Sequence, residues 1–202
     1  YSFYYNINTF FINTNLKEFF REQLFNFENS DVEWKELKDI AKISNGKDHK
    51  IFQNGSIPVY GSGGIMRYID TSIYEEESVL IPRKGSIGNI FYVNEPFWTV
   101  DTIFYTRINI EIIISKYFYY FLKTKDLKKL NFAGGVPSLT KTVLDKIKIP
   151  IPSLKEQERI VKLLDQFDAT HSAIEEEITK EIKLRTQQYE YYREKLLSFP
   201  QN

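Results

Sequence analysis

Between Ile149 and Phe199 the chain carries a pattern that permits few folds. Apolar and aromatic side chains recur at alternating steps of three and four: Ile160, Leu164, Phe167, Ile174, Ile178, Ile182, Tyr189, Tyr192, Leu196 and Phe199. Two slots in the rhythm are polar, His171 and Arg185. Such spacing lays one sticky seam along a single helix, as in a coiled coil. Two consecutive steps of four, Ile174 to Ile178 to Ile182, make one slip in the alternation, which locally unwinds a supercoil. Ser153 reads as the N-cap, with Glu156 as its capping-box partner. At about 1.5 Å per residue, some 45 helical residues make a rod of roughly 65 Å. A rod of that length cannot bury its own seam and needs a partner helix, from this chain or another. His171 and Arg185 either fix the register of that pairing or are turned outward by the slip. Glu175, Glu176 and Glu177 read as solvated surface.

The rest of the 202 residues is enough for one globular domain beside the rod, and 42% hydrophobic with 16% aromatic content supplies a core. Net charge is zero, so no global field announces nucleic acid or a membrane. The charge is nonetheless uneven. Residues 31–154 carry 17 Lys and Arg against 14 Asp and Glu, a balance of +3, whereas residues 155–199 carry 8 against 10, a balance of −2. The globular part is the more basic one. There are no cysteines, and His49 and His171 are the only histidines. A thiolate metal site, a zinc centre and a Ser-His-Asp triad are therefore not expected, and no metal or cofactor is implied. No apolar run is long enough to span a bilayer and no signal peptide is evident, so a cytoplasmic protein without a membrane partner is expected. A first residue of Tyr rather than Met is expected of a trimmed or partial chain.

Read in order, residues 1–14 are aromatic and Asn-rich, a short strand or an extended arm. Residues 15–27 read as a short amphipathic helix capped by Thr14 or Asn15. This piece has an echo: FFREQLFNF at 19–27 aligns with YYREKLLSF at 191–199, as though 15–27 were the tail of a preceding copy of the rod. In the next segment, Trp34, Leu37, Ile40 and Ile43 fall at steps of three and predict a helical or capping segment. Short β-branched and aromatic runs follow at Ile57–Tyr60, Ile65–Ile69, Ser78–Ile81, Ile87–Val93 and Thr99–Ile108, with turn signals at 61–64, 83–89 and 94–96. They predict a mostly antiparallel β-domain. Residues 111–130 predict a helix with an aromatic face, broken by Gly134 and Gly135, before a turn, a short helix and a short strand lead into the rod. The expected architecture is α+β: an N-terminal arm and short helix (1–30), a mostly antiparallel β-domain with accessory helices (31–152), and a long C-terminal coiled-coil helix (153–202).

The blocks VEWKELKDIAKISNGK, IPVYGSGGI, VLIPRKGSIGNIFY, FWTVDTIFY, GVPSLTKTVLDKIKIPIPSLKEQERIVKLLDQFDA and YEYYREKLLSF resemble the specificity subunit of type I restriction–modification systems over roughly residues 31–199. The resemblance implies a non-catalytic subunit whose target-recognition domain reads one half of a bipartite double-stranded DNA site. It also implies partner subunits, a methyltransferase that acts on adenine N6 and a restriction subunit. Such subunits usually carry two recognition domains held apart by two antiparallel helices, and this chain carries one. It is expected to act as a half-length subunit pairing with a second copy of itself, or as the second half of a longer chain.

A domain of this kind must hold phosphates and read base edges. Arg83, Lys84 and Ser86 surround a Gly-flexed turn suited to phosphate; alternatively, its glycines only shape a hairpin. Tyr60, Ser62 and Arg67 flank the GSGG turn, which lacks the GK[ST] of a P-loop; the other reading is a β-turn whose tyrosines pack on the sheet. Lys47, His49 and Lys50 lie in a polar turn that contacts DNA or is simply solvated. Lys141 follows a hydroxyl-rich turn, while Lys123, Lys125, Lys128 and Lys129 read as a solvated helix end favoured by the dipole. The absence of an NPPY-like or PD-(D/E)xK-like motif argues against an enzyme. Asp101 reads as a structural carboxylate. The competing reading is a coiled-coil scaffold whose β-domain binds protein, and a steep salt dependence of DNA binding separates the two.

Overall fold

A computed structural model describes residues 19–27, 31–130 and 138–198. The chain forms two compact units, one from Glu18 to Val161 and the other including the chain from Lys162 onward. In the first unit, α1 (residues 19–24) is followed by β1 (Glu33–Glu36), the single turn α2 (Leu37–Ile40) and β2 (Ala41–Asn45). Then come β3 (Ile57–Gly61), β4 (Gly64–Ile69), β5 (Ser78–Pro82), β6 (Phe91–Val93), β7 (Trp98–Thr99) and β8 (Ile103–Ile108). The domain is completed by α3 (Ser115–Lys123), a 3-10 turn (Leu127–Leu130), α4 (Lys141–Leu144), β9 (Lys148–Ile151) and the root of α5 (Leu154–Leu197).

The strands form a four-stranded sheet β2-β8-β5-β6, a three-stranded sheet β4-β3-β7 and a two-stranded ladder β1-β9. All pairings are antiparallel except the two-residue contact of β3 with β7. Strand β5 is buried at every residue, as a central strand covered on both faces must be, and it reads as an unbroken apolar run. Its polar end is closed by side chains. Ser78 Oγ donates to the Thr106 carbonyl (2.8 Å) and accepts from the Thr106 N–H (3.0 Å), while Thr106 Oγ1 donates to the Val79 carbonyl (2.9 Å) and accepts from the Val79 N–H (3.0 Å). One core cluster joins Tyr60, Leu80, Val93, Phe97, Ile103 and Tyr105; a second joins Val59, Ile69 and Trp98.

Helix α3 buries Tyr117, Phe118, Tyr120, Phe121 and Leu122. From the chain end, Phe25 packs on it, its ring 5.1 Å from Tyr117 and 5.5 Å from Phe121. Arg21 lies over the ring of Tyr120. Phe25 of the repeated segment therefore closes the aromatic core of the domain, while its match Leu197 is 75% exposed; Phe19 and Phe20 are exposed, as are their matches Tyr191 and Tyr192.

Several sequence expectations change in the fold. The segment around Trp34 to Ile43 is strand, one helical turn and strand, because β1 pairs with β9 in the register Glu33↔Ile151 to Glu36↔Lys148. Only Phe91–Val93 of the run 87–93 is a strand, and the run 99–108 is divided by a turn at 101–102. The helix expected over 111–130 is confined to Ser115–Lys123, after a turn in which Asn109 accepts from the N–H groups of Glu111, Ile112 and Ile113. Gly134, Gly135, Phe199 and residues 1–14 lie outside the described residues.

The root of α5 is bolted into the domain. Ser153 Oγ accepts from the Glu156 N–H at 3.3 Å as a cap should, but the Glu156 carboxylate turns to Arg159 (2.7 and 2.8 Å) rather than back to the cap. That hydrogen bond holds the Glu156 carboxyl below its ordinary pKa. Gln157 is fully buried; its Oε1 accepts from the Ile114 N–H (2.9 Å), and its Nε2 donates to the carbonyls of Ile112 (3.1 Å) and Pro152 (3.0 Å). Ile160 is fully buried one turn on.

The second unit carries the rest of α5, so that the whole helix is 44 residues and about 66 Å long. Its seam changes character along its length. Leu164 is buried, and Phe167, His171 and Ile178 are half-buried. Ile174, Ile182, Tyr189, Tyr192 and Leu196 are 43–69% exposed. The polar slots engage their own helix: His171 Nδ1 lies 3.6 Å from Glu175 Oε2, and Arg185 Nε donates to Glu181 Oε1 at 2.7 Å. No helix among the described residues is long and apolar enough to cross a membrane.

Candidate nucleic-acid interface

Three separated segments of the β-domain converge on the turn Thr99–Thr102. The Lys47 N–H donates to the Thr99 carbonyl (2.8 Å), and the indole of Trp98 returns a bond to the Lys47 carbonyl (3.0 Å). The Val100 N–H donates to the Tyr60 carbonyl (3.0 Å), and the Ser62 N–H donates to Thr102 Oγ1 (3.4 Å). The Arg83 N–H donates to the Thr102 carbonyl (3.0 Å). Main-chain groups of one turn thus hold the 46–50 loop, the β3–β4 hairpin and the 83–89 loop side by side. Gly46 is required there: a Cβ at this position would stand 2.0 Å from the Val100 carbonyl oxygen, far inside van der Waals contact.

The hairpin and the 83–89 loop also touch directly. Asn89 Nδ2 donates to the Ser62 carbonyl (3.4 Å), and a Cβ at Gly85, whose φ is +72°, would lie 3.1 Å from Ser62 Oγ. A fourth segment, 138–141, joins by pairing: Lys84 bridges Ser138, and the Leu139 N–H donates to the Arg83 carbonyl at 2.8 Å. Thr140 caps α4 through the Val143 N–H, which sets Lys141 in the first turn.

The result is a concavity of about 660 Å³ between the 46–50 loop, the hairpin and the central turn. Lys47, His49, Lys50 and Ser62 line it, with Asp48, Asp101, Ile65 and Met66. Arg83, Lys84, Ser86 and Lys141 lie along the adjoining loops, and Lys84 and Ser86 are exposed. Arg83 is half-buried with its guanidinium carbon 5.1 Å from the centre of the Phe104 ring. Two expected contacts are engaged elsewhere. Tyr60 is a core residue, 5.7 Å from the ring of Phe91, and burial pushes its hydroxyl pKa up. Arg67 spends its guanidinium on the Phe52 carbonyl (3.2 Å) and Asn54 Oδ1 (3.0 Å), bracing the loop before β3.

Chemically, the concavity offers cations for phosphate, and hydroxyl and carboxylate groups for base edges. Carboxylates accept from cytosine N4, and apolar side chains suit the thymine methyl. Asp48 accepts the Lys50 N–H at 3.1 Å, which holds its carboxyl below the ordinary value and keeps it charged. Sequence reading missed Asp48, Ile65, Met66, Asn89 and Thr102. Their placement comes from side-chain direction and from bonds between segments distant in the chain, Lys47 and Trp98 being 51 residues apart, for which no local pattern exists. Asp101, read as structural, is exposed in the concavity.

Residues 29–184 match the family described as the type I restriction modification DNA specificity domain. The chain is 33% identical over 211 residues to the specificity subunit of the type I restriction enzymes EcoR124I/EcoR124II from Escherichia coli, covering 90% of this chain and 52% of that protein. It is 34% identical over 183 residues to a putative type I specificity subunit from Haemophilus influenzae, covering 85% of this chain and 47% of that protein. The chain thus spans about half the length of these relatives. Its fold is similar to the S subunit of a type I restriction–modification system from M. genitalium, with a TM-score of 0.70 at 23% identity over 87% of this chain and 52% of that one.

Proposed function

Because the chain belongs to the type I restriction–modification DNA specificity family, we propose that it recognises DNA sequence for such a system, reading one half of a bipartite double-stranded site. The observation that carries the reading is the convergence of the 46–50 loop, the β3–β4 hairpin and the 83–89 loop on the Thr99–Thr102 turn. Three loops fixed to one turn present cations and base-reading groups with little freedom left to lose on binding, which raises affinity without additional contacts. Lys47, Lys50, Arg83, Lys84, Ser86 and Lys141 hold phosphates, His49 and Ser62 face the bases, and Tyr60 and Arg67 support the loops from behind.

The chain contributes no catalytic group in this reading. Chemistry on adenine N6 and cleavage belong to methyltransferase and restriction subunits that it recruits. The exposed stretch of the seam, Ile174 to Leu196, pairs with a second copy of the chain or with the other half of a longer specificity polypeptide. A large exposed apolar stripe at coiled-coil spacing supports this, since such stripes mark partner helices. Two identical domains related by a two-fold axis would read an inverted repeat around a fixed gap.

Co-expression with the cognate methyltransferase subunit, followed by genome-wide mapping of methylated adenine, tests the proposal. The expected result is one gapped motif, present only when this chain is expressed. Methylation without a motif, or none beyond the methyltransferase alone, would overturn it.

A further inference from the structure

A second basic concavity, of about 500 Å³, lies beside the first and includes Arg21, Gly88, Lys125, Lys128 and Lys129, with Glu22 and Asp126 as its acidic members. From the fold we infer that this surface binds the phosphodiester backbone flanking the bases that the domain reads, with Lys128 and Lys129 as the principal contacts; the inference rests on the function proposed above. Sequence alone accounts for these lysines as the solvated end of a helix. The fold removes that account for two of them. Helix α3 ends at Lys123, and Lys128 and Lys129 sit on a separate 3-10 turn anchored by the buried Leu127 and by Asp126, whose Oδ1 accepts the Lys128 N–H at 3.2 Å.

The turn presents these cations unequally. Lys129 lies 3.5 Å from Asp126, and Lys125 covers the ring of Phe121 at 4.6 Å. Among the described residues Lys128 makes no ion pair, and its stem reaches the 83–89 loop, with Cε 3.6 Å from where a Gly88 Cβ would stand. Gly85, in the same loop, lies against Ser62 of the first concavity closely enough that a Cβ there would stand 3.1 Å from Ser62 Oγ. From Gly85 to Gly88 is three residue steps, about 11 Å at most, or some three nucleotides along one strand at about 3.4 Å each. The acidic run Glu75–Glu77 lines neither concavity. A strand whose bases enter the first concavity therefore carries its outer phosphates past Lys128.

The test is the salt dependence of binding of the full chain to short duplexes of random sequence. Each phosphate contact contributes about 0.9 to the slope of log affinity against log salt. Lys128→Gln should lower that slope by about one, equally on unrelated sequences, whereas Lys128→Arg should leave it unchanged. Lys129→Gln should lower it further when combined with Lys128→Gln. A wild-type slope retained by the combined Gln variant, with its thermal unfolding unaltered, would overturn this inference and leave the proposed function standing. Failure of the wild-type chain to bind duplex in a salt-dependent manner would overturn both.

Discussion

Ser78 and Thr106 meet across β5 and β8 with both hydroxyls donating and accepting inside the sheet. Thr106→Val keeps the shape of the side chain but strands the Val79 N–H and carbonyl, and should lower stability by about 1–3 kcal/mol, read as a shifted urea midpoint with an unchanged slope. Asp48 invites the opposite experiment. Its carboxylate stands among Lys47, His49 and Lys50, where the proposed function places phosphate. Asp48→Asn keeps an acceptor for the Lys50 N–H and removes the like charge, so affinity for random duplex should rise about two- to fivefold at low salt and the gain should fade at high salt, measurable by fluorescence anisotropy. At this scale the sequence marked the cations that stand next to glycine, and the fold brings Lys47 into the concavity and Arg83–Ser86 to an adjoining loop. It was opaque where a residue's neighbour decided its role. Tyr60 looks like any turn tyrosine until β3 turns it onto Phe97 and Phe91, and Arg67 looks free until the Phe52 carbonyl is brought to it.

At the level of elements, α5 was the most legible part, because its Ser153 N-cap and its apolar spacing are local properties of one segment. The strand runs at 57–60, 65–69 and 78–81 were nearly as clear, since β-branched and aromatic residues fill them and turn residues bound them. The segment 33–45 was misread because its apolar steps of three mimic a helix, while a strand more than a hundred residues later supplies the bonds that make it β. Tertiary pairing overrode local spacing there. The aromatic echo at 19–27 was visible, but its docking on Tyr117 and Phe121 was not, since the face it covers belongs to another helix. Gln157 carries no signal in the sequence, yet it fastens the root of α5 to the 112–114 turn. Gln157→Leu fills the same space and leaves the Ile114 N–H and two carbonyls buried without a partner. It should cost about 2–4 kcal/mol, seen as a lower denaturation midpoint. Hydrogen exchange should accelerate first at Ile114 and along the first turns of α5.

For the molecule as a whole, the pairing proposed above would make α5 a spacer. Its length of about 66 Å is close to two turns of B-DNA at about 34 Å each. If paired copies use it as a spacer, deleting Ile182–Gln188 removes one heptad and brings Tyr189 into the slot of Ile182. The rod shortens by about 10 Å, so the unspecified gap in the methylated motif should shrink by about three base pairs while both half-sites stay the same. Methylation mapping of the deletion strain checks this, and an unchanged gap would remove the spacer role. The ladder of β1 with β9 has a separate consequence. Everything from Leu37 to Ile147 is strung between two strands that lie side by side in a fixed register. Loops within that span can lengthen, shorten or change in composition without displacing either flank. Recombination could therefore exchange the interior as a cassette and, under the function proposed above, change the recognised sequence in one genetic step.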